Sequence, residues 1–158
     1  MKLFEKEVQE VLSIIDEWEQ RLMKLDELAI TQKQNRQNRT VKQIVGHMVD
    51  SATNNTHRII HLQYQESPCH YPDYANLGNN DRWIAIQNYN KEEWYNLVQL
   101  WKYSNIHLVH VINNIKSECL ENIWISALDT KISLKDMIID YPRHLKLHIS
   151  EISELIEK

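Results

Sequence analysis

The stretch LKDMIIDYPRHLKLHISEISELI, residues 134–156, repeats its apolar side chains at helical spacing. Met137, Ile138, Tyr141, Leu145, Ile152 and Leu155 share one arc of a 3.6-residue helix, the arc that faces a core. Ser133 followed by Asp136 is a start signal for that helix. Pro142 lies inside it and removes a backbone donor, so a kink is expected there. His144 and His148 fall within the same inward arc, four residues apart. A buried imidazole needs a hydrogen-bond partner or a metal ion, and nothing charged stands beside these two on the arc.

The same pattern extends upstream. Phe4, Val8, Val11, Leu12, Ile15, Trp18, Leu22 and Leu25 predict a first helix over about residues 3–29. TQKQNRQNR, residues 31–39, has no apolar side chain and reads as a linker. Thr40 can cap a second helix, buried along Val41, Ile44, Val45, Met48, Val49, Ala52 and Ile59 and fading near Gln65. ESPCHYPDYANLGNND, residues 66–81, reads as a long, aromatic-containing loop, and DRWIAIQNY as a short helix. Asn90 with Glu93 is a capping pair for a third long helix running from Trp94 past Ile112. Its polar Asn105 and His107 have no evident role.

A chain of 158 residues with two glycines and three prolines fits one domain built from long helices. Four amphipathic helices predict an all-α four-helix bundle, and the long loop between the second and third permits a crossover. The net charge of −4 argues against nucleic acid as a partner, leaving Arg36, Arg39 and Lys42 as a solvated loop cluster. Cys69 and Cys119 match no metal or redox spacing, and the expected setting is reduced and cytoplasmic. The start of the chain is too charged for a signal peptide, and no apolar run suits a membrane span. A small-molecule substrate and a homodimer are expected, with the aromatic-rich third helix as one candidate dimer face.

Of eight histidines, phase around the helices singles out three. His144 and His148 point inward. His47 borders the apolar arc of the second helix and heads a polar lane of Ser51, Asn54, Arg58 and His61. His57, four residues from His61, points outward. Gly46 supports His47, because a glycine in a helix interior costs up to about 1 kcal/mol and implies a close approach to the backbone. Two readings of the inward pair stand. One is a divalent metal site with an open position; the other is a pair of core histidines bonded to Tyr141 or to backbone carbonyls. A zinc peptidase is excluded, since the position after the first histidine is Leu145 rather than glutamate.

TVKQIVGHMVDSATNNTHR, residues 40–58, followed far downstream by DYPRHLKLHISEI, residues 140–152, resembles the DinB-like superfamily, particularly its DinB_2 branch. NNDRWIAIQNY and WYNLVQLWKYSNIHLVHVINNI resemble the middle of those proteins, so the likeness covers most of the chain in order. The chain departs from the family in lacking a tryptophan just before the second helix. The resemblance implies a four-helix bundle in which His47, His144 and His148 hold a divalent metal, zinc or nickel. It also implies a metal-dependent enzyme, either a thiol S-transferase using a low-molecular-weight thiol such as bacillithiol or mycothiol, or a hydrolase. A non-catalytic, metal-stabilised bundle is the alternative. Beside the metal, Asp50 is the candidate for orienting a ligand or accepting a proton. Arg58 is the candidate for meeting an anionic group on the thiol, and Tyr141 for a hydrogen bond near the ion. The competing reading makes Asp50 and Arg58 helix-surface charges and Tyr141 plain core. Tyr74 and Trp83 are candidates to line the cleft.

Overall fold

A computed structural model describes residues 2–158. The four long helices are present: α1 (Glu5–Met23), α3 (Val41–Leu62), α5 (Trp94–Asn113) and α6 (Leu134–Ile156). Two shorter helices, α2 (Glu27–Thr31) and α4 (Asn79–Gln87), sit in the connections. α3 packs on α5 and α6, and α1 packs on the same two helices. The successive long helices α1 and α3 therefore occupy opposite corners of the bundle. Between them lies an apolar core that includes Trp18, Leu22, Ile44, Met48, Leu97, Trp101, Leu108, Ile138 and Ile152. No helix is long and apolar enough to cross a membrane among the described residues.

The helix starts follow local chemistry. Thr40 accepts from the Gln43 amide at 3.2 Å while the Gln43 side chain accepts from the Thr40 amide at 3.0 Å, a reciprocal cap that opens α3. Ser133 accepts from the Asp136 amide at 3.0 Å and opens α6. α6 then runs as helix from Leu134 to Ile156 with Pro142 buried inside it. α5 starts differently from expectation. Glu93 is itself the cap, accepting from the amides of Tyr95 and Asn96, while Asn90 lies in the preceding 3₁₀ turn, Tyr89–Lys91, and accepts from the Thr40 hydroxyl.

Several expectations need correction. The first helix stops at Met23, and Asp26 caps the separate α2 by accepting from the Ala29 amide at 2.8 Å. The linker is folded back by a bridge between Gln34 and Thr40. Of the basic cluster only Arg36 is solvated, and the other two members are not. Arg39 is buried against Asp81 at 2.9 Å, and the buried Lys42 donates to the carbonyls of Asn90 and Glu92. The connections also form a three-stranded sheet in the order β1 (Cys69–His70), β2 (Ile123–Ile125), β3 (Lys131–Ser133). β1 runs parallel to β2, and β2 antiparallel to β3. The Asn122 side chain ties this sheet to the end of α3 by donating to the Leu62 carbonyl at 2.7 Å.

Candidate metal centre

α3 and α6 bring His47, His144 and His148 together. Nε2 of His148 lies 3.1 Å from Nε2 of His47 and 3.1 Å from Nε2 of His144. Neither His144 nor His148 bonds to Tyr141 or to a carbonyl, so the core-histidine alternative does not describe them. His47 and His148 are buried, and His144 is half-buried.

The back of each ring determines which nitrogen is offered. Nδ1 of His148 lies 3.0 Å from Oε2 of Glu151. Burial alone would raise the Glu151 carboxyl, but the His148 bond and the nearby Arg39 charge hold it below the usual range. The ionised carboxylate can only accept, so His148 carries its proton on Nδ1 and turns the Nε2 lone pair inward. Nδ1 of His144 faces the Ser51 hydroxyl at 3.4 Å. Nδ1 of His47 is buried without a partner among the described residues.

Electrostatics favour the neutral rings of His47 and His144. Burial, and then the neighbouring His148, Arg39 and His144 charges, push His47 down to about 2. Burial, His148 and Arg143 push His144 down to about 4, against the opposing pull of Asp140 and Glu151. Three converging nitrogens around His148 Nε2 cannot all be satisfied by one another, because a lone pair facing two rings leaves at least one contact unmatched in each tautomer set. A divalent cation resolves this, since it binds neutral imidazole. Two nitrogens held by one zinc ion at about 2.0–2.1 Å and a tetrahedral angle stand roughly 3.3 Å apart, close to the spacing here. The donor set fits a divalent ion, with three protein nitrogens.

Beside the centre, reached through His144, is a cavity of roughly 600 Å³ lined by His144, Ser51, Tyr74, Arg58, Trp124 and Tyr141, among others. Tyr74 comes from the long loop, and its ring centre is 6.1 Å from that of His47. Trp83 instead backs Tyr74, 5.6 Å away ring to ring. Trp124, Ser126 and Thr130 come from the hairpin β2–β3, which the sequence reading missed. The short apolar run Ile123, Trp124 and Ile125, β-branched and aromatic, before the polar turn at Asp129 was the available signal.

The other predicted residues divide. Asp50 is buried, not a surface charge: its Oδ1 accepts from the Tyr89 hydroxyl at 2.6 Å and from the Gln87 amide at 2.8 Å. Burial raises its pKa, and those two bonds only partly offset the rise. Tyr89 also explains Gly46, because a Cβ there would stand 2.2 Å from the Tyr89 ring. Tyr141 donates to Asn105 Oδ1 at 2.6 Å, and the Asn105 amide donates to the Trp101 carbonyl. The polar break in α5 is thus the partner of an α6 tyrosine. Arg58 is buried as well, with its guanidinium 3.7 Å from the centre of the Trp124 ring. His57 is exposed, as its phase predicted.

With fold and geometry in place, the chain superposes on known structures. YfiT from Bacillus subtilis, a probable metal-dependent hydrolase with an unusual four-helix bundle topology, matches with a TM-score of 0.82 and 17% identity, over 95% of this chain and 83% of YfiT. The fold is the four-helix bundle of YfiT, as the resemblance to the DinB-like superfamily implied. The mycothiol-dependent maleylpyruvate isomerase matches with a TM-score of 0.76 and 12% identity, over 94% of this chain and 60% of the isomerase. A histidine-to-alanine mutant of that isomerase matches equally well at 11% identity. No protein-family model and no curated protein sequence matches the chain. At these identities the likeness speaks for the fold alone, and the histidine geometry speaks for the site.

Proposed function

We propose that this protein is a metal-dependent enzyme acting on a small molecule, and that its chemistry is transfer of a low-molecular-weight thiol to an electrophile. The observation that carries the reading is the convergence of three Nε2 atoms beside a cavity large enough for a small substrate. A zinc or nickel ion held there by His47, His144 and His148 would supply an open coordination position and lower the pKa of a thiol or water brought to it. The chain's own part is to hold neutral imidazoles, to orient His148 through Glu151, and to wall one side of the cavity with Tyr74 and Trp124. Neither Cys69 nor Cys119 lines the cavity, so the thiol comes from a second molecule in this reading.

A second reading, hydrolysis, draws support from YfiT, which this chain matches over more of its length than it does the isomerase. One experiment separates the two. Protein purified without an affinity tag is loaded with zinc, then assayed for thiol conjugation to a model electrophile and for hydrolysis of model esters and amides. Conjugation that requires both ion and thiol supports the transferase; ester or amide turnover without thiol supports the hydrolase. Absence of both, with a fourth protein group closing the ion's coordination, leaves the metal-stabilised bundle. The homodimer is proposed from the outer face of α5, where Tyr95 and Tyr103 are exposed, and sedimentation at equilibrium tests it.

A further inference from the structure

Arg58 is the one buried cation of the cavity, and its charge is unanswered. Its side chain comes from the last turns of α3, and the residue is only 6% exposed. It has no ion pair and no hydrogen bond to any described residue, and its Nε is buried without a partner. The nearest candidate counter-charge, Asp73, spends its carboxylate on the amides of Ala75, Asn76 and Ala127 and on the Asn76 side chain. The other acid–base pair at the cavity, Asp140 with Arg143, is closed on itself at the exposed rim. Burial lowers the pKa of Arg58, and the pull of Asp73, Tyr74 and Tyr71 offsets this only in part. A buried guanidinium without a partner costs several kcal/mol, so the arrangement calls for an anion from outside the chain.

The surroundings say which kind of anion. The guanidinium carbon lies over Trp124, 3.7 Å from the ring centre, and 6.0 Å from the ring centre of Tyr71. Trp124 is the centre of β2, paired with Cys69 and Ile132, and its indole nitrogen donates to the Tyr71 carbonyl at 3.4 Å. With Nε buried and Arg58 lining the cavity, its two terminal nitrogens are the donors left for a ligand there, a fork that matches a planar carboxylate. One arginine balances one negative charge. Leu128, Ile132 and Met137 line the same cavity and offer apolar surface to the rest of the ligand.

We infer that Arg58, braced on Trp124, is a carboxylate-binding subsite and that the small molecule taken by this centre is a carboxylic acid with an apolar body. This rests on the functional reading above for its place in the reaction, but not for binding. The carboxylate comes either with the electrophile or with the thiol.

The binding test uses metal-free protein, so that the ion cannot hold the anion itself. Benzoate and benzamide are titrated against the wild type, Arg58→Lys and Arg58→Gln, and followed by calorimetry and by the Arg58 Nε–H resonance. Benzoate should bind at least ten-fold tighter than benzamide and shift that resonance. Arg58→Lys should keep part of the preference, and Arg58→Gln should abolish it while zinc still binds. Equal binding of the two ligands to the wild type would overturn the subsite whether or not the variants fold. Failure of zinc to bind the wild type would strike the metal centre instead and leave this result standing. In zinc-loaded protein, N-acetylcysteine against its amide, and 4-(bromomethyl)benzoate against its amide, then show which reactant brings the carboxylate. A ten-fold advantage of the acid in one pair assigns it, and no advantage in either pair overturns the placement of Arg58 beside the reacting groups.

Discussion

At the scale of single residues, the centre depends on which nitrogen each imidazole offers. Glu151 sets this for His148, three residues before it on the same helix face. Replacing Glu151 with Gln keeps the shape but removes the charge that favours the Nδ1–H tautomer. Such outer partners typically matter by about 10–100-fold in metal affinity, and Glu151→Gln should weaken zinc binding within that range in a competition titration against a chromophoric chelator. Unchanged affinity would show that His148 is oriented by packing alone. The same burial makes the metal-free protein sensitive to acid. His47 and His144 have folded pKa values of about 2 and about 4, against 6.5 when unfolded. Below 6.5 the unfolded chain binds protons that the folded chain refuses, so stability falls as the pH drops. Each group contributes a slope of up to about 1.4 kcal/mol per pH unit. The loss begins near 6.5 and continues through 4, where His144 titrates, with His47 alone extending it toward 2. Urea midpoints of metal-free protein should therefore decline between about pH 7 and pH 5. His47→Gln combined with His144→Gln should flatten that decline, and a decline of equal slope in the double variant would place its origin elsewhere.

At the scale of elements, α3 does several jobs along its length. Its first turn is closed by Thr40 and Gln43, its middle is crossed by Tyr89, and its end carries Arg58 to the sheet. Gly46 permits the crossing. Gly46→Ala would normally stabilise a helix by up to about 1 kcal/mol. Here the new methyl would fall 2.2–2.4 Å from three atoms of a ring that Asp50 also holds by its hydroxyl. Overpacking of this kind costs about 1–3 kcal/mol or more, so a net loss is expected in chemical denaturation. A gain in stability would mean that Tyr89 moves aside freely. Asp50 is thereby an anchor for the α4–α5 connection, a role opposite to that of the solvent-facing charge considered from sequence. The helices themselves were legible in sequence because their apolar faces repeat over many turns. The sheet was not, because its strands are only two or three residues long and β1 finds its partner β2 more than fifty positions away.

For the whole molecule, the three histidines link α3 to α6, two helices separated by the sheet segment and by α5. An ion bound only to the folded state adds RT ln(1 + [L]/Kd), about 2.7 kcal/mol at one hundred times Kd. Zinc should raise the thermal midpoint of tag-free protein, and a chelator should reverse the rise. His148→Ala should remove the response while keeping a helical circular dichroism spectrum. A zinc response that survives in His148→Ala would point to a second site and remove this centre from the account.

Periodicity was enough for the four long helices, their buried faces and the three metal candidates, but not for the break between α1 and α2. Helical periodicity reports which side of an element is inward, and inward polar groups are rare enough to stand out. What the tertiary structure alone decided was how polar groups from distant segments are spent. Arg39 and Lys42 are consumed in burial contacts, Asp50 in bracing Tyr89, and Tyr141 in satisfying Asn105. Arg58 is left without a partner beside the cavity. Periodicity assigns a direction to each side chain, but a hydrogen bond needs two groups within about 3 Å, and the chain places such partners together only once the bundle has closed.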